Sequence, residues 1–255
     1  MHKAVKTAAA GFAAAMISLS AAHATEPLVD AKAIPGDFSA NVAAVSEYFF
    51  RGISQTDDKP ALQGGFDYSV PLGKSGVNGY LGLWGSNVEF NEAAGVHGAT
   101  IESDWYGGVN GSLGSTGVGW DLGAIYYWYP GADSSLNYDY WEAQAKLSYD
   151  FGFASTTASF NYSPDNFGKS GAAYYPALSV DVPVGKYLTL SGHVGKQYVK
   201  KNATFGYPDY VDYSIGGTVN VVGFDLNVTY TGTDMNNSEC SDACDMVYFS
   251  ISRSF

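Results

Sequence analysis

Acidic residues recur at alternate positions in segments of this sequence where apolar and polar residues also alternate. Because alternate residues of a β-strand point to the same side of a sheet, these acids are expected to share one face. Lys146 is the one base of that parity within the segments, and Arg51 keeps the parity of Glu47 just past the first segment. Acidic rings that line a narrow pore favour cations, so the pattern predicts a cation-preferring lumen. The candidate pore-lining residues are Glu47, Arg51, Asp67, Glu102, Asp104, Asp121, Glu142, Lys146, Asp212 and Asp225.

Arg51 is the residue with the most specific expected role. It is expected to reach the mouth of the lumen and balance Glu47 or Asp67, which would give a constriction carrying both signs of charge. The alternative is a loop arginine that meets lipopolysaccharide phosphates or fixes the first loop. A filled barrel without an open pathway, in which the acids pair with Lys146, Arg51 and tyrosine hydroxyls, also fits these residues.

Hydrolysis is a second chemistry to consider. His193 is the only histidine on a predicted strand and has the inward parity, while Glu102 and Asp104 share a face as a candidate carboxylate pair. Hydrolytic catalysis needs a base beside a nucleophile or an activated water. No GxSxG elbow occurs, and a lone inward histidine more often forms lumen hydrogen bonds. We therefore predict no enzyme, no catalytic residue, no metal and no cofactor.

The elements that must position these side chains are short strands. Their length of about ten residues is what a tilted strand needs to cross a bilayer. No segment with helical periodicity competes with them. The predicted strands are 38–48, 62–70, 77–87, 99–112, 118–129, 139–150, 153–162, 173–182, 187–196, 210–221, 224–231 and 246–255. Pro176 lies inside one of them and predicts a bulge or a late strand start there.

The connections between these strands alternate in length. Those after the even-numbered strands are tight, as at 151–152 and 222–223, and most of those after the odd-numbered strands are long and polar. Short turns at one end and long loops at the other are typical of outer-membrane barrels. A soluble β-sandwich would also show the alternation, with its apolar parity turned inward. The sequence predicts an all-β fold, a transmembrane antiparallel up-and-down β-barrel of about twelve strands.

Composition excludes several other classes. The chain has 255 residues, of which 15% are charged, and a net charge of −12, whereas a nucleic-acid binder needs a basic face. Past the N-terminus no apolar run approaches the roughly 18 residues of a membrane-spanning helix. The abundance of Gly, Tyr and Phe argues against disorder.

The N-terminus predicts export. Lys3 and Lys6 precede an apolar stretch at 8–18, and Ala22 and Ala24 supply the small residues that a signal peptidase reads. Cleavage would leave 11 basic against 25 acidic residues, a net charge of −14. The predicted organisation is a signal peptide at 1–24, a periplasmic lead-in at 25–36 and an outer-membrane barrel at 37–255.

Two cysteines lie in one polar connection. Cys240 and Cys244 are four residues apart, and a close pair in an oxidising compartment predicts a disulfide. Metal binding would need more soft ligands than this stretch offers.

The C-terminal strand carries a further signal. Phe255 is in phase with Ile251, Phe249 and Val247, which resembles the signature that outer-membrane assembly machinery recognises in Gram-negative barrels. Arg253 departs from that signature, because an apolar residue is usual at its position.

The first hairpin resembles a known family. The stretch 42–68, with FRGISQ at 50–55 and PALQGG at 60–65, is similar to the TorF family of porins, also called the Gcw_chp family of bacterial outer-membrane proteins. The segment WGSN at 84–87 adds to the match. The resemblance implies an outer-membrane porin but supplies neither a substrate nor a site.

Together these features predict a bacterial outer-membrane porin that lets small hydrophilic solutes, with cations preferred, diffuse passively. Its expected partners are outer-membrane lipid and lipopolysaccharide, the assembly machinery and the solutes or cations themselves, with no nucleic acid. The alternatives are a non-conducting structural or surface-adhesion barrel and, less favoured, an outer-membrane hydrolase.

Overall fold

The computed structural model describes residues 35–90, 92, 94–236 and 245–255. The predicted signal peptide and nearly all of the lead-in lie outside these residues, as do Cys240 and Cys244. Within the described part, no helix has the length and apolar character to cross a membrane. The strands are β1 (Asp37–Val45), β2 (Phe49–Phe50), β3 (Ile53–Ser54), β4 (Ala61–Pro71), β5 (Asn78–Asn87), β6 (Ile101–Ser112), β7 (Val118–Trp128), β8 (Tyr140–Asp150), β9 (Ser155–Ser163), β10 (Ala173–Val184), β11 (Leu188–Val199), β12 (Tyr210–Val221), β13 (Phe224–Thr233) and β14 (Asp245–Ser254). The short helix α1 spans Asn202–Phe205, and 3-10 turns span Ser134–Leu136 and Phe167–Lys169.

Twelve of these strands form one closed barrel, as the sequence predicts. Each strand pairs antiparallel with its neighbours, and β1 closes the ring by pairing with β14 on one side and β4 on the other. The closure is continued past the strand ends by two backbone hydrogen bonds between Ala40 and Phe255, of 3.0 and 2.8 Å. A closed ring leaves no unpaired strand edge, which is what a bilayer requires of a β-structure.

The two faces of the wall differ as the alternation predicts. Large apolar side chains of one parity are exposed on the outside, including Leu62 at 66%, Trp105 at 53% and Ile215 at 65%. The other parity turns into the barrel and carries the acids. An apolar outer band around a polar interior is the arrangement of a barrel that spans a membrane.

The two ends of the barrel also differ. Short turns at 72–77, 113–117, 151–154, 185–187 and 222–223 lie at one end, which we call the turn end. The long connections at 46–60, 129–139, 164–172 and 200–209, and the described parts of those that follow β5 and β13, lie at the other, the loop end. This is the asymmetry that the sequence predicts.

The first strand is shorter than expected. It ends at Val45 rather than at residue 48, and the chain then forms a separate two-stranded hairpin from β2 and β3. Glu47 and Tyr48 therefore lie in the connection after β1 and not in the barrel wall.

Pro176 is accommodated differently from the predicted bulge or late start. β10 begins three residues before Pro176, at Ala173, and pairs continuously with β9. Its pairing with β11 is interrupted between the pairs Tyr174–Tyr198 and Ala177–Gly195, with two residues on each strand in the gap. Because the gap holds the same number of residues on both strands, it is not a bulge. The gap arises because proline lacks the N–H that a ladder hydrogen bond needs.

Candidate functional site

The connection 46–60 enters the barrel at the loop end; we call it the first-loop hairpin. Tyr48 Oη donates to Glu102 Oε1 of β6 at 3.1 Å, and the Phe50 ring meets the Tyr127 ring of β7 edge-on at 5.8 Å. Gly52 has a φ of 77° and lies so close to β12 and β13 that an added Cβ would come within 2.7 Å of Thr233 Cγ2. The hairpin thus contacts wall strands on opposite sides of the ring.

Arg51, at the turn of this hairpin, is fixed by three strands. Its Nη2 donates to Glu142 Oε2 of β8 at 2.6 Å and its Nη1 to Gln197 Oε1 of β11 at 2.8 Å. The guanidinium also lies over the Tyr175 ring of β10, 4.0 Å from the centroid. Arg51 extends from the hairpin to side chains on the inner face of the wall, and its ion-pair partner is Glu142 and not Glu47 or Asp67.

Burial and charge act against each other at Arg51. Its side chain is 5% exposed and that of Glu142 is 2% exposed. Burial is the largest single effect and disfavours the charged guanidinium, but the Glu142 carboxylate together with Tyr127 and Tyr140 outweighs it, so the pKa of Arg51 is raised. The site therefore holds a permanent positive charge. In the same loop, burial raises the pKa of the Glu47 carboxyl.

Glu142 is the centre of a hydrogen-bond network. Besides Arg51, its Oε2 accepts a hydrogen bond from Asn161 Nδ2 at 2.8 Å, and Tyr127 Oη approaches at 3.5 Å. The Tyr127 ring stacks on Tyr140 at 4.5 Å. A carboxylate held by a guanidinium and an amide, against stacked rings, has little freedom to move.

The remaining acids point into the lumen and bind neighbouring side chains. Asp67 accepts a hydrogen bond from Tyr106 Oη at 2.5 Å, and Asp225 accepts one from Asn220 Nδ2 at 2.8 Å. Asp121 accepts one from Tyr80 Oη at 2.9 Å.

Lys146 lies within the same set of side chains. It stands directly across from Asp121 in the pairing of β7 with β8. Lys146 and the acids named on the wall strands therefore share the inner face, whereas Glu47 and Arg51 belong to the first-loop hairpin.

Glu102 and Asp104 lie two residues apart on β6 and are both buried. Glu102 is bound by Tyr48 of the hairpin, whereas Asp104 Oδ1 has no hydrogen-bond partner among the described residues. Arg51 Nε, Gln197 Nε2 and Glu47 Oε1 share this property. Buried polar atoms of this kind are normally satisfied by water.

His193 lies in a second polar cluster below the hairpin. Ser179 Oγ is 2.9 Å from its Nδ1, and its Nε2 is 2.9 Å from Tyr175 Oη and 3.1 Å from Asp212 Oδ2. Tyr175 Oη also donates to Asp212 Oδ1 at 2.8 Å. Tyr175 can cross β11 because Gly195 has no side chain, since a Cβ there would lie 2.1 Å from Tyr175 Oη. The contacts link serine, histidine and aspartate in one row.

Several partners in these clusters were not predicted from the sequence. Tyr127, Tyr140, Tyr175 and Gln197 are at most 6% exposed and face inward. The aromatic residues at the strand ends therefore lie on both faces of the wall, and Tyr126, Trp128 and Trp141 are those on the outer face. Parity alone could have identified the inward members, since Tyr127 is in phase with Asp121.

No metal centre is found within the described residues, where no three His, Cys, Asp or Glu side chains are grouped to hold an ion. The predicted Cys240–Cys244 disulfide lies outside the described part of the chain.

Comparisons with known proteins agree with the fold. A family model described as "Bacterial protein of unknown function (Gcw_chp)" matches residues 30–255. No curated protein matches the sequence. The NanC porin has a TM-score of 0.51 at 10% identity, with 84% of this chain and 97% of the porin covered. A structure from work on in-meso crystallization of membrane proteins has a TM-score of 0.52 at 7% identity, with 86% and 83% covered. The COG4313 outer membrane channel from Pseudomonas putida F1 has a TM-score of 0.49 at 8% identity, with 87% and 96% covered.

Proposed function

The chain belongs to the Gcw_chp family of bacterial proteins, as its first hairpin suggests, and we propose that it is an outer-membrane channel for small hydrophilic solutes. Solutes diffuse passively down their gradient through the lumen, and cations pass in preference to anions. The narrowest point is the Arg51–Glu142 contact at the loop end, where one fixed positive charge sits among carboxylates.

The observation that carries this proposal is the composition of the inner surface. Its carboxylates outnumber Lys146 and Arg51, and an excess of acid in a narrow passage raises the local cation concentration. Four of the six buried polar atoms without a partner among the described residues belong to this set or its contacts, and they support a hydrated interior, because each needs water.

The proposed location is the outer membrane, and three features support it. The predicted signal peptide at 1–24 would export the chain, and the Cys240–Cys244 disulfide would form after export. The C-terminal phenylalanine would engage the assembly machinery. Arg253, which departs from that signature, lies over the Phe224 and Phe255 rings at 5.0 and 5.2 Å.

Single-channel recording in a planar bilayer under a KCl gradient tests the proposal. The refolded protein is expected to conduct, with a reversal potential on the cation-selective side. A folded barrel that passes no current, or one that selects anions, would contradict it.

A non-conducting barrel is the second candidate, and the insertion of the first-loop hairpin favours it. In that case the hairpin seals the lumen, and the long loops carry a structural or adhesive role. Deleting a loop would then spare assembly but abolish surface binding, and no current would be seen.

A hydrolase is the third candidate, because Ser179, His193 and Asp212 are in contact. The nitrogens are used in the reverse order from a serine protease, in which the serine meets Nε2. Incubating the folded barrel with a p-nitrophenyl ester separates the two functions. If the protein is a channel only, the wild type is expected to hydrolyse the ester no faster than the His193→Asn variant does.

A further inference from the structure

A groove on the outer wall near the loop end has a chemistry unlike the rest of the apolar belt. It has a volume of about 660 Å³ and lies where Pro176 interrupts the pairing of β10 with β11. Its aromatic walls come from Phe160, Tyr174 and Tyr198, all of which are exposed on the outer face. Such rings form the interfacial girdle of a barrel, so the groove opens at the level of the lipid headgroups.

One lysine lines this groove, and three others lie close to it along the chain or through a shared contact. Lys200 lines it, and Lys196 projects from the outer face of β11 with its Nζ 5.0 Å from the Tyr198 ring centroid. Lys169 and Lys201 are adjacent, since Lys201 Nζ donates to the Lys169 carbonyl at 3.2 Å. These are four of the 13 Lys and Arg residues in an acidic chain. Within the described residues, none of the four forms an ion pair.

The lysines are held in place by the loop backbone. The Lys200 amide donates to the Ala172 carbonyl at 2.9 Å, and the Lys201 amide donates to the Ser170 carbonyl at 3.0 Å. These bonds tie the connection 200–209 to the connection 164–172. The backbone positions of Lys200 and Lys201 are therefore held by two loops together.

The acids next to the groove are already engaged. Asp209 Oδ1 accepts the Val199 amide at 2.9 Å, and Asp165 Oδ1 accepts the Gly171 amide at 3.0 Å. Each accepts a backbone amide of its own loop and forms no ion pair with these lysines within the described residues.

A second outer groove of about 570 Å³ gives a comparison within the same molecule. It is lined by residues including Leu62, Phe66, Leu83 and Ile101, and no Lys or Arg lines it. Apolar grooves thus occur elsewhere on the wall, but only the first of these two is lined by a lysine, Lys200, and has a second one, Lys196, against one of its rings.

We propose that the groove at Pro176 binds a phosphorylated glycolipid of the outer leaflet. The acyl chains would pack against Phe160, Tyr174 and Tyr198, while Lys196 and Lys200 would bind the headgroup phosphates. Lysine on a long stem can bury its methylenes along the rings and keep its ammonium at headgroup depth. Multiple phosphates match a cluster of several cations better than a single-phosphate lipid does.

Binding of bisphosphorylated lipid A to the folded barrel in non-ionic detergent, measured by native mass spectrometry, tests this site. The double variant Lys196→Gln/Lys200→Gln is expected to bind lipid A about tenfold more weakly, because two charge-assisted contacts are lost. The matched control is Lys74→Gln/Lys186→Gln at the turn end, where Lys186 lies 5.3 Å from the Tyr187 ring in a similar geometry. The control is expected to bind as the wild type does.

Two further probes identify the recognised group. Dephosphorylated lipid A is expected to bind the wild type as weakly as phosphorylated lipid A binds the double variant. Phosphatidylglycerol is expected to compete only at a large excess. Equal binding by the two double variants would overturn the proposal, and so would equal binding of dephosphorylated lipid A. Equal competition by phosphatidylglycerol would show a general anionic-lipid surface and reject the glycolipid. None of these outcomes depends on whether the barrel conducts.

Discussion

At the scale of single residues, Arg51 holds the first-loop hairpin in the lumen. Replacing it with alanine removes both hydrogen bonds to the wall and leaves Glu142 without its cation. Arg51→Ala is expected to raise single-channel conductance and to lower the free energy of unfolding by about 2 kcal/mol, less than in a dry interior because lumen water can reach Glu142.

Lys59 provides the control for Arg51, because it lies in the same connection, 46–60. Its ion pair with Glu89 is at an exposed site. Lys59→Ala is expected to leave both conductance and stability essentially unchanged, because an exposed ion pair contributes little. Equal conductance in the wild type and Arg51→Ala would show that the guanidinium does not limit the passage.

Asp121 and Lys146 allow a test of ion selectivity, because they carry opposite charges at the same height in the lumen. They face each other across β7 and β8, so their removal changes the local charge without moving the constriction. Asp121→Asn is expected to shift the reversal potential under a KCl gradient toward zero, and Lys146→Gln is expected to shift it further to the cation side. Shifts of the same sign in both variants would contradict the acidic-lumen mechanism.

Sequence parity could place the inward acids but not their partners. Asp121 and Glu142 are inward because the period of two is a local property of a strand. The partner of Arg51 depends instead on the position that the connection 46–60 takes inside the barrel, and Glu142 lies 91 residues away in the sequence. Glu47 and Asp67 were nearer in sequence, but distance along the chain does not measure distance across a closed ring.

At the scale of elements, the first-loop hairpin is separable from the barrel. β2 and β3 pair only with each other, whereas the ring is closed by β1 with β4 and β14. Replacing residues 49–54 with a Gly/Ser linker is therefore expected to preserve the folded barrel and to raise conductance more than Arg51→Ala does. The matched control is the same replacement at Asn202–Phe205, which is expected to leave conductance unchanged. A barrel that fails to close without the hairpin would make it part of the folding core.

The strands themselves were predictable, and the hairpin was not. Twelve segments carry a face with a continuous apolar period, and burial of that face against lipid enforces their register. β2 and β3 contain two residues each, too few for a period to be read. The sequence placed a disturbance at Pro176 but predicted a bulge or a late strand start, whereas the missing N–H interrupts the pairing with β11 and leaves that with β9 intact.

The outer face of β12 tests whether the barrel spans a bilayer. Ile215 lies in the middle of the strand on the outer face, and Val221 lies at its turn-end limit on the same face. Ile215→Arg is expected to reduce the unfolding free energy in lipid vesicles by about 2–4 kcal/mol, and Val221→Arg by about 0–1 kcal/mol. Equal costs at both depths would be inconsistent with a membrane-embedded belt.

At the scale of the whole molecule, the inward side chains of β11 and β12 are more deeply buried at the loop end than at the turn end. Gln197 and Asp212 at the loop end are each 2% exposed. Ser191 is half-buried and Asn220 exposed toward the turn end of the same two strands. The first-loop hairpin accounts for this gradient, because it covers only the loop end.

The gradient predicts that neutral polymers distinguish the two mouths. Polyethylene glycols of graded size, added to one side of a bilayer with oriented channels, reduce conductance only if they enter the lumen. Larger polymers are expected to act from the turn end than from the loop end. Replacing residues 49–54 should abolish the difference, because it removes the obstruction at one mouth only. The same size limit from both sides in the wild type would mean that the narrowest point is not the Arg51–Glu142 contact but lies nearer the middle of the wall.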